Sequence, residues 1–122
     1  MILADTSIWV QHFRSGSDEL RKLLVNGQVV MHPMIVAELA LGSLGDRTRT
    51  LAYLDLLPQA RMAQLNEVRQ MIETRSLYSQ GIGLIDVHLI ASVFLNQPTL
   101  LWTRDKRLRT VAEALGIHAN LP

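Results

Sequence analysis

"TLLWTRDKRLRTVAEALG", residues 99–116, is the stretch on which the fold turns. "TLLWT" is a brief apolar run, the mark of a strand buried on both faces rather than one alternating between core and water. It passes directly into "DKRLRTVAEALG", where Asp105 is a good helix starter and Gly116 a stop signal. A strand that feeds straight into a helix predicts a parallel sheet, because a parallel neighbour is reached only by a crossover.

The same order recurs outward from this stretch. "MILA" reads as an opening strand that runs into the helix "DTSIWVQHF", whose Asp, Thr and Ser are all helix starters. "SDELRKLLVNG" is a second helix, with Ser17 as N-cap and Gly27 as stop. "QVVMH" is a strand, and Pro33 suits the first position of the helix "PMIVAELALGSL". A further helix covers "RTRTLAYLDLL" and ends at Pro58, while "QARMAQL" is ambiguous, with a short strand as its one reading. "NEVRQMIETRSLYSQG" is amphipathic through Val68, Met71, Ile72 and Leu77; "IDVHLIASVFL" is apolar nearly all round, as in a helix held between layers. "IHANL" is a last short strand. The expected fold is α/β, a three-layer α/β/α sandwich with a mainly parallel central sheet, in a single domain over residues 1–122.

Bulk composition bounds the function. The 122 residues are 48% hydrophobic and 5% aromatic, so aliphatic side chains must fill one core. No cysteine occurs, which removes disulfides and thiolate metal sites and fits a reducing cytoplasm. No apolar run approaches the roughly 20 residues that span a bilayer, and the N-terminus lacks the pattern of a secretion signal, so a soluble, cytoplasmic protein without membrane contact is expected. Net charge is only +1, but ten of the twelve cations are Arg, the side chain suited to bidentate phosphate contacts.

Four acids stand at informative places. Asp5 ends the first strand, Asp105 follows the "TLLWT" strand, Asp86 begins the buried helix, and Glu38 lies inside the helix after "QVVMH". In open parallel sheets, sites form at the carboxyl ends of strands where connections diverge. Asp5, Asp86 and Asp105 could each be a plain N-cap, with Asp5 the weakest candidate because Thr6 and Ser7 could serve instead. Glu38 is harder to read that way. Its helical neighbours Met34, Ile35, Leu41 and Gly42 form an apolar stripe, and no Lys or Arg lies within a turn to offset its charge. Carboxylates gathered in one pocket hold their charge best around a cation, and hard oxygen ligands favour Mg²⁺ or Mn²⁺.

In these residues the chain resembles the PIN-domain ribonucleases, and among them the VapC-type toxins of bacterial toxin–antitoxin pairs. The resemblance rests on Asp5, Thr6 and Ser7 in "LADTSIW", Glu38 in "VAEL", Asp86 in "GLIDVHLIAS", and Thr103 with Asp105 in "LLWTRDKRL", in matching order along the whole chain. It implies that Asp5, Glu38, Asp86 and Asp105 are catalytic and bind Mg²⁺ or Mn²⁺, that RNA is the substrate, and that Thr6, Ser7 and Thr103 orient ligands or water. It also implies a homodimer and a cognate antitoxin that blocks the acidic pocket, with Leu39, Leu41, Leu44 and Leu54 available either for such contacts or for the core. Two departures bear on a second ion rather than the first. Lys106, Arg107 and Leu108 follow Asp105 where a further Asp or Asn is frequent in the family, and Val87 follows Asp86 where a smaller Ala is common.

The expected reaction is metal-assisted phosphodiester hydrolysis leaving 5′-phosphate and 3′-hydroxyl ends, with Glu38 or Asp86 taking the attacking water's proton. Arg14, Arg104, Lys106 and Arg107 are the candidate RNA-phosphate contacts, and Arg47 with Arg49 a weaker second cluster. His12, His32, His88 and His118 show no metal-ligand spacing and read as structural, and Trp9 and Trp102 read as core. "GIG" at residues 81–83 lacks the strand–turn–helix context of a dinucleotide site. Two rivals remain at this stage. A signalling receiver domain would use Asp55 as phosphoacceptor and Lys106 as its lysine, and a catalytically silent PIN-like module would bind without cutting.

Overall fold

The computed structural model describes residues 1–122. Three parallel strands, β1 (Ile2–Ala4), β2 (Val29–Val30) and β3 (Leu100–Trp102), lie in the order β2-β1-β3. Ile2 and Leu3 pair with Val29 and Val30 on one side, and Ile2, Leu3 and Ala4 pair with Leu100, Leu101 and Trp102 on the other. Seven helices connect them: α1 (Thr6–Ser15), α2 (Asp18–Val25), α3 (Pro33–Ala40), α4 (Arg47–Leu56), α5 (Leu65–Thr74), α6 (Leu84–Leu95) and α7 (Lys106–Ala114).

The ambiguous "QARMAQL" and the expected last strand "IHANL" extend the sheet by one bridge each. Gln59 pairs in parallel with Met31, and His118 with Leu101. "QARMAQL" and "IHANL" are therefore sheet edges rather than full strands. Met31 N–H donates to the Pro58 carbonyl and Ala60 N–H to the Met31 carbonyl, each at 2.7 Å, and pairing goes no further. Two other boundaries differ from the sequence pattern. α3 stops at Ala40, ahead of Gly42, Ser43 and Gly45, and α5 stops at Thr74, before Ser76 at φ 53°. Leu77 is still buried, but from beyond the helix.

With the edges included, the chain runs outward from β1 in one direction to β2 and Gln59, then returns past β1 to β3 and His118. Crossovers between parallel strands are right-handed, so this reversal puts α1–α4 on one face and α5–α7 on the other. The packing of α1 on α3, α3 on α4 and α5 on α6 agrees. The result is the expected α/β/α sandwich, with its switch point between β1 and β3. One cluster of 26 buried apolar residues fills it, including Trp9 and Trp102 at 0% exposure. Of the leucines considered for partner contacts, Leu39 and Leu54 are core, Leu44 is half-buried, and Leu41 is 89% exposed. No helix is long and apolar enough to cross a membrane.

Three of the four histidines, His12, His32 and His118, serve the frame. His12 Nδ1 accepts from Ser17 N–H at 3.1 Å and fixes the turn between α1 and α2, while His118 Nδ1 accepts from Asn120 N–H at 2.9 Å. His32 caps α3: its Nδ1 accepts from Met34 N–H at 3.0 Å. Ser92 spends its proton on the Arg61 carbonyl at 2.7 Å, so His32 Nε2–H is the donor across the 3.0 Å contact to Ser92 Oγ. This neutral tautomer ties β2, α6 and the Gln59 edge together. Burial first, and the nearby His88 second, push the His32 pKa down to about 4 from 6.5. The unfolded chain therefore binds a proton that the fold refuses. The stability due to neutral His32 is full above pH 6.5 and is lost as pH falls towards 4, a loss of about 3 kcal/mol. His32→Asn keeps a good cap and removes the titration. Urea unfolding should show the parent losing stability relative to this variant between those pH values, and a constant difference would refute the assignment.

Candidate active site

The site grows from the ends of β1 and β3. Asp5 N–H donates to the Trp102 carbonyl at 3.0 Å, so the sheet ladder itself carries Asp5 alongside Thr103. Asp5 is the N-cap of α1, its Oδ1 accepting from Ile8 N–H at 3.3 Å. Thr6 and Ser7, expected as the better caps, do something else. Ser7 Oγ donates to Asp5 Oδ1 and Thr103 Oγ1 to Asp5 Oδ2, both at 2.5 Å. Each hydroxyl is in turn oriented by a backbone donor in the β3–α7 connection: Arg104 N–H to Ser7 Oγ at 3.2 Å, and Asp105 N–H to Thr103 Oγ1 at 3.0 Å. Asp5, only 5% exposed, is thus gripped on both oxygens by a relay reaching across the switch point.

The remaining acids surround it. Glu38 comes from α3, half-buried, with Thr6 Oγ1 donating to its Oε1 at 2.7 Å. Asp105 is exposed and caps α7, Oδ1 accepting from Leu108 N–H at 3.0 Å. Asp86 is not the cap of α6, because that place belongs to Gly83. It stands three residues later and reaches back, Oδ2 accepting from Gly83 N–H at 3.0 Å. An acid at this position also meets the positive end of the helix dipole.

Electrostatics link the four. Burial raises the Asp5 pKa above 3.8; the hydrogen bonds from Ser7, Thr103 and Ile8 oppose the rise, and the Asp86 charge adds to it. Burial likewise raises Asp86; the Gly83 N–H opposes it, and the charges of Asp105 and Glu38 add to it. Asp86 therefore feels the charges of Asp105 and Glu38, and its own charge is felt by Asp5.

The donor chemistry fits a hard divalent cation. Asp86, Asp105 and Glu38 each commit one named oxygen to a cap or hydroxyl, leaving Asp86 Oδ1, Asp105 Oδ2 and Glu38 Oε2 without a partner in the chain. No three acid or histidine side chains already stand grouped to hold a metal ion. Joint ligation would need these carboxylates to swing inward.

The family model for the PIN domain matches residues 2–114. The chain belongs to the PIN-domain family, in its VapC-type branch. It is 38% identical over 117 residues to Ribonuclease VapC32 of Mycobacterium tuberculosis, strain CDC 1551 / Oshkosh, covering 96% of this chain and 94% of that protein. The same figures hold for Ribonuclease VapC32 of strain ATCC 25618 / H37Rv. The PIN-domain assignment agrees with the parallel sheet and with the acids at its carboxyl edge.

The candidate cations of this PIN domain separate. Arg104 is committed: its Nε donates to the Pro122 carbonyl at 2.9 Å and its Nη1 to Gln11 Oε1. Lys106 and Arg107 line a cleft of about 210 Å³ with Gln80 and Thr110, and the Arg107 side chain lies close over Gly81. Arg14 lies on the other side, in a groove with Thr6 and Glu38. Arg47 donates to the Ala40 and Gly42 carbonyls and Arg49 pairs with Asp46, so that second cluster serves the turn before α4. Asp55 is exposed within α4 rather than at a strand end, which removes the receiver reading. Composition and spacing gave no hint of the Ser7–Arg104 and Thr103–Asp105 relays or of the Gln11–Arg104 contact. Only the strand register brings those residues together.

Proposed function

We propose that this chain is a Mg²⁺- or Mn²⁺-dependent endoribonuclease, the toxin of a toxin–antitoxin pair, acting in the cytoplasm. The observation that supports the proposal is that Asp5, Glu38, Asp86 and Asp105 stand near enough at one edge of a PIN-family sheet for their charges to act on one another. The relatives' name, Ribonuclease VapC32, agrees with it. A silent module would not need these acids, since neighbouring carboxylates that raise one another's pKa oppose both folding and the approach of RNA unless a cation is used.

Asp5, Glu38, Asp86 and Asp105 would hold the ion. When bound, it would lower the pKa of the attacking water and offset charge on the phosphoryl oxygens. The chain supplies the rest. Ser7 and Thr103 fix both oxygens of Asp5, so this acid needs little reorganisation, and Thr6 holds one oxygen of Glu38 while the other is left to turn. Of Glu38 and Asp86, the one whose free oxygen does not ligate the ion accepts the water's proton. The water oxygen bonds to phosphorus as the bond to the 3′-oxygen breaks, and the departing 3′-oxygen takes a proton from solvent water, leaving 5′-phosphate and 3′-hydroxyl ends. Lys106 and Arg107 meet backbone phosphates beyond the cut. A cognate antitoxin and a homodimeric state belong to the same reading, and light scattering on the pure chain tests the latter by mass.

The deciding experiment is incubation of the purified protein with short single-stranded RNA in Mn²⁺ and then in EDTA. Cleavage in the first and none in the second is expected; cleavage that persists in EDTA would defeat the metal assignment. The cleft cations have their own signature. Lys106→Gln and Arg107→Gln should each weaken RNA binding in a sequence-independent way and lower the slope of log affinity against log salt by about 1. An unchanged slope removes them from the phosphate path.

A further inference from the structure

Next to the acids lies a groove of which the hydrolytic chemistry uses only the Thr6–Glu38 edge. It runs between α1 and the segment 42–44 after α3, encloses about 330 Å³, and has Val10, Phe13, Leu39 and Leu44 among its walls. That volume falls at the lower end of the range for small-molecule sites, about 300–1,000 Å³. Thr6 and Glu38, joined to each other at 2.7 Å, line the same groove. Whatever fills it therefore touches one of the four acids, and the simplest occupant is part of the substrate itself.

The walls suit a nucleobase and its phosphate. Phe13 is 42% exposed, yet its ring is supported from below by the fully buried Trp9, with centroids 5.8 Å apart at 37°, and by His12 at 5.9 Å. An aromatic ring held this way keeps its orientation when a base arrives, and stacking on it is indifferent to base identity. Arg14, one residue on, is exposed and takes no part in the three ion pairs of the chain, Arg21–Asp18, Arg49–Asp46 and Arg109–Glu113. A free guanidinium beside an apolar slot and an acidic centre complements a strand carrying one anionic phosphate per base.

We propose that this groove takes one unstacked base of single-stranded RNA, with Phe13 as the stacking platform and Arg14 meeting the adjoining phosphate. The proposal rests on the ribonuclease reading above and adds a subsite to it. A base inside a duplex cannot enter without leaving its stack, so the subsite selects for single strands.

The test measures anisotropy of a labelled single-stranded RNA in EDTA, where no cutting is expected, alongside cleavage rates in Mn²⁺. Phe13→Ala and Phe13→Leu should each weaken binding about tenfold or more, and Phe13→Tyr should stay within about threefold of the parent. Leucine keeps apolar bulk but has no π face, so it separates base stacking from the docking of a protein segment. Melting curves confirm that the variants fold. Parental affinity in Phe13→Leu, or equal affinity for duplex RNA of the same sequence, overturns the proposal. If the parent cleaves RNA and all three variants match it, the subsite falls alone. If the parent neither binds nor cleaves RNA, the ribonuclease reading falls with it.

Discussion

Asp86→Asn yields a folded protein that cleaves single-stranded RNA about 10² to 10³ times more slowly than the parent and melts no lower than the parent at pH 7. The two halves of this result have one origin. Asp86 is the acid whose charge is opposed by burial and by Asp105 and Glu38, and whose own charge bears on Asp5. Its folded pKa lies above 3.8, so the fold holds this proton more tightly than the unfolded chain does. The sign follows by linkage: this contribution favours the fold most at low pH and is lost as pH rises through the raised pKa. At pH 7 the ionised carboxylate is a burden on the apo protein. Asparagine removes the charge while its amide oxygen can still accept from Gly83 N–H, so the reach back to the start of α6 survives. What cannot survive is the anionic ligand. Cleavage within tenfold of the parent, or a melting temperature clearly below it at neutral pH, would show that Asp86 is structural. A group retained at a cost to stability is one retained for function.

The same residue shows how far the sequence could be read. Asp5, Glu38, Asp86 and Asp105 were legible because each sits at a position set by local rules: a strand end, a helix start or an apolar helix stripe. Strand–helix alternation then implied a common edge. The parts governed by register were not legible. Ser7 and Thr103 are separated by ninety-six positions, yet both donate to Asp5, because Ala4 pairs with Trp102 and so aligns their exits. Nothing local distinguishes a hydroxyl that caps a helix from one that grips a neighbouring acid, and the choice of Asp5 over Thr6 or Ser7 as cap follows from that competition. Arg104 was read as a phosphate contact because it adjoins Asp105. It is taken up by Gln11 and the Pro122 carbonyl, partners distant in sequence. The sheet edges, one ambiguous and one read as a full strand, were hard to judge for another reason. Met31–Gln59 and Leu101–His118 are single bridges, too short to impose the periodicity by which strands are recognised.

Mn²⁺ should raise the melting temperature of the parent by about 10 °C once it is present at some hundred times its dissociation constant, and the rise should vanish in EDTA. Binding that is confined to the folded state adds about 2.7 kcal/mol at that ratio, and each kcal/mol shifts a domain of this size by about 3–5 °C. The direction follows from the acids. An apo site in which burial and mutual repulsion raise Asp5 and Asp86 is one that a dication relieves. Part of the gain is spent on geometry, since no three acids already stand grouped around a point and Asp86 Oδ1, Asp105 Oδ2 and Glu38 Oε2 must converge. That rearrangement lowers affinity without abolishing it, as for any site whose competent conformation is a minor one. Asp86→Asn and Asp105→Asn should lose most of the shift, whereas Lys106→Gln, outside the ligand set, should keep it. The comparison separates specific ligation from general screening of carboxylates, because screening would survive the loss of any single acid. A shift of less than about 1 °C at saturating Mn²⁺ would mean that the four carboxylates do not act as one site, and hydrolysis would then need another source for its nucleophile.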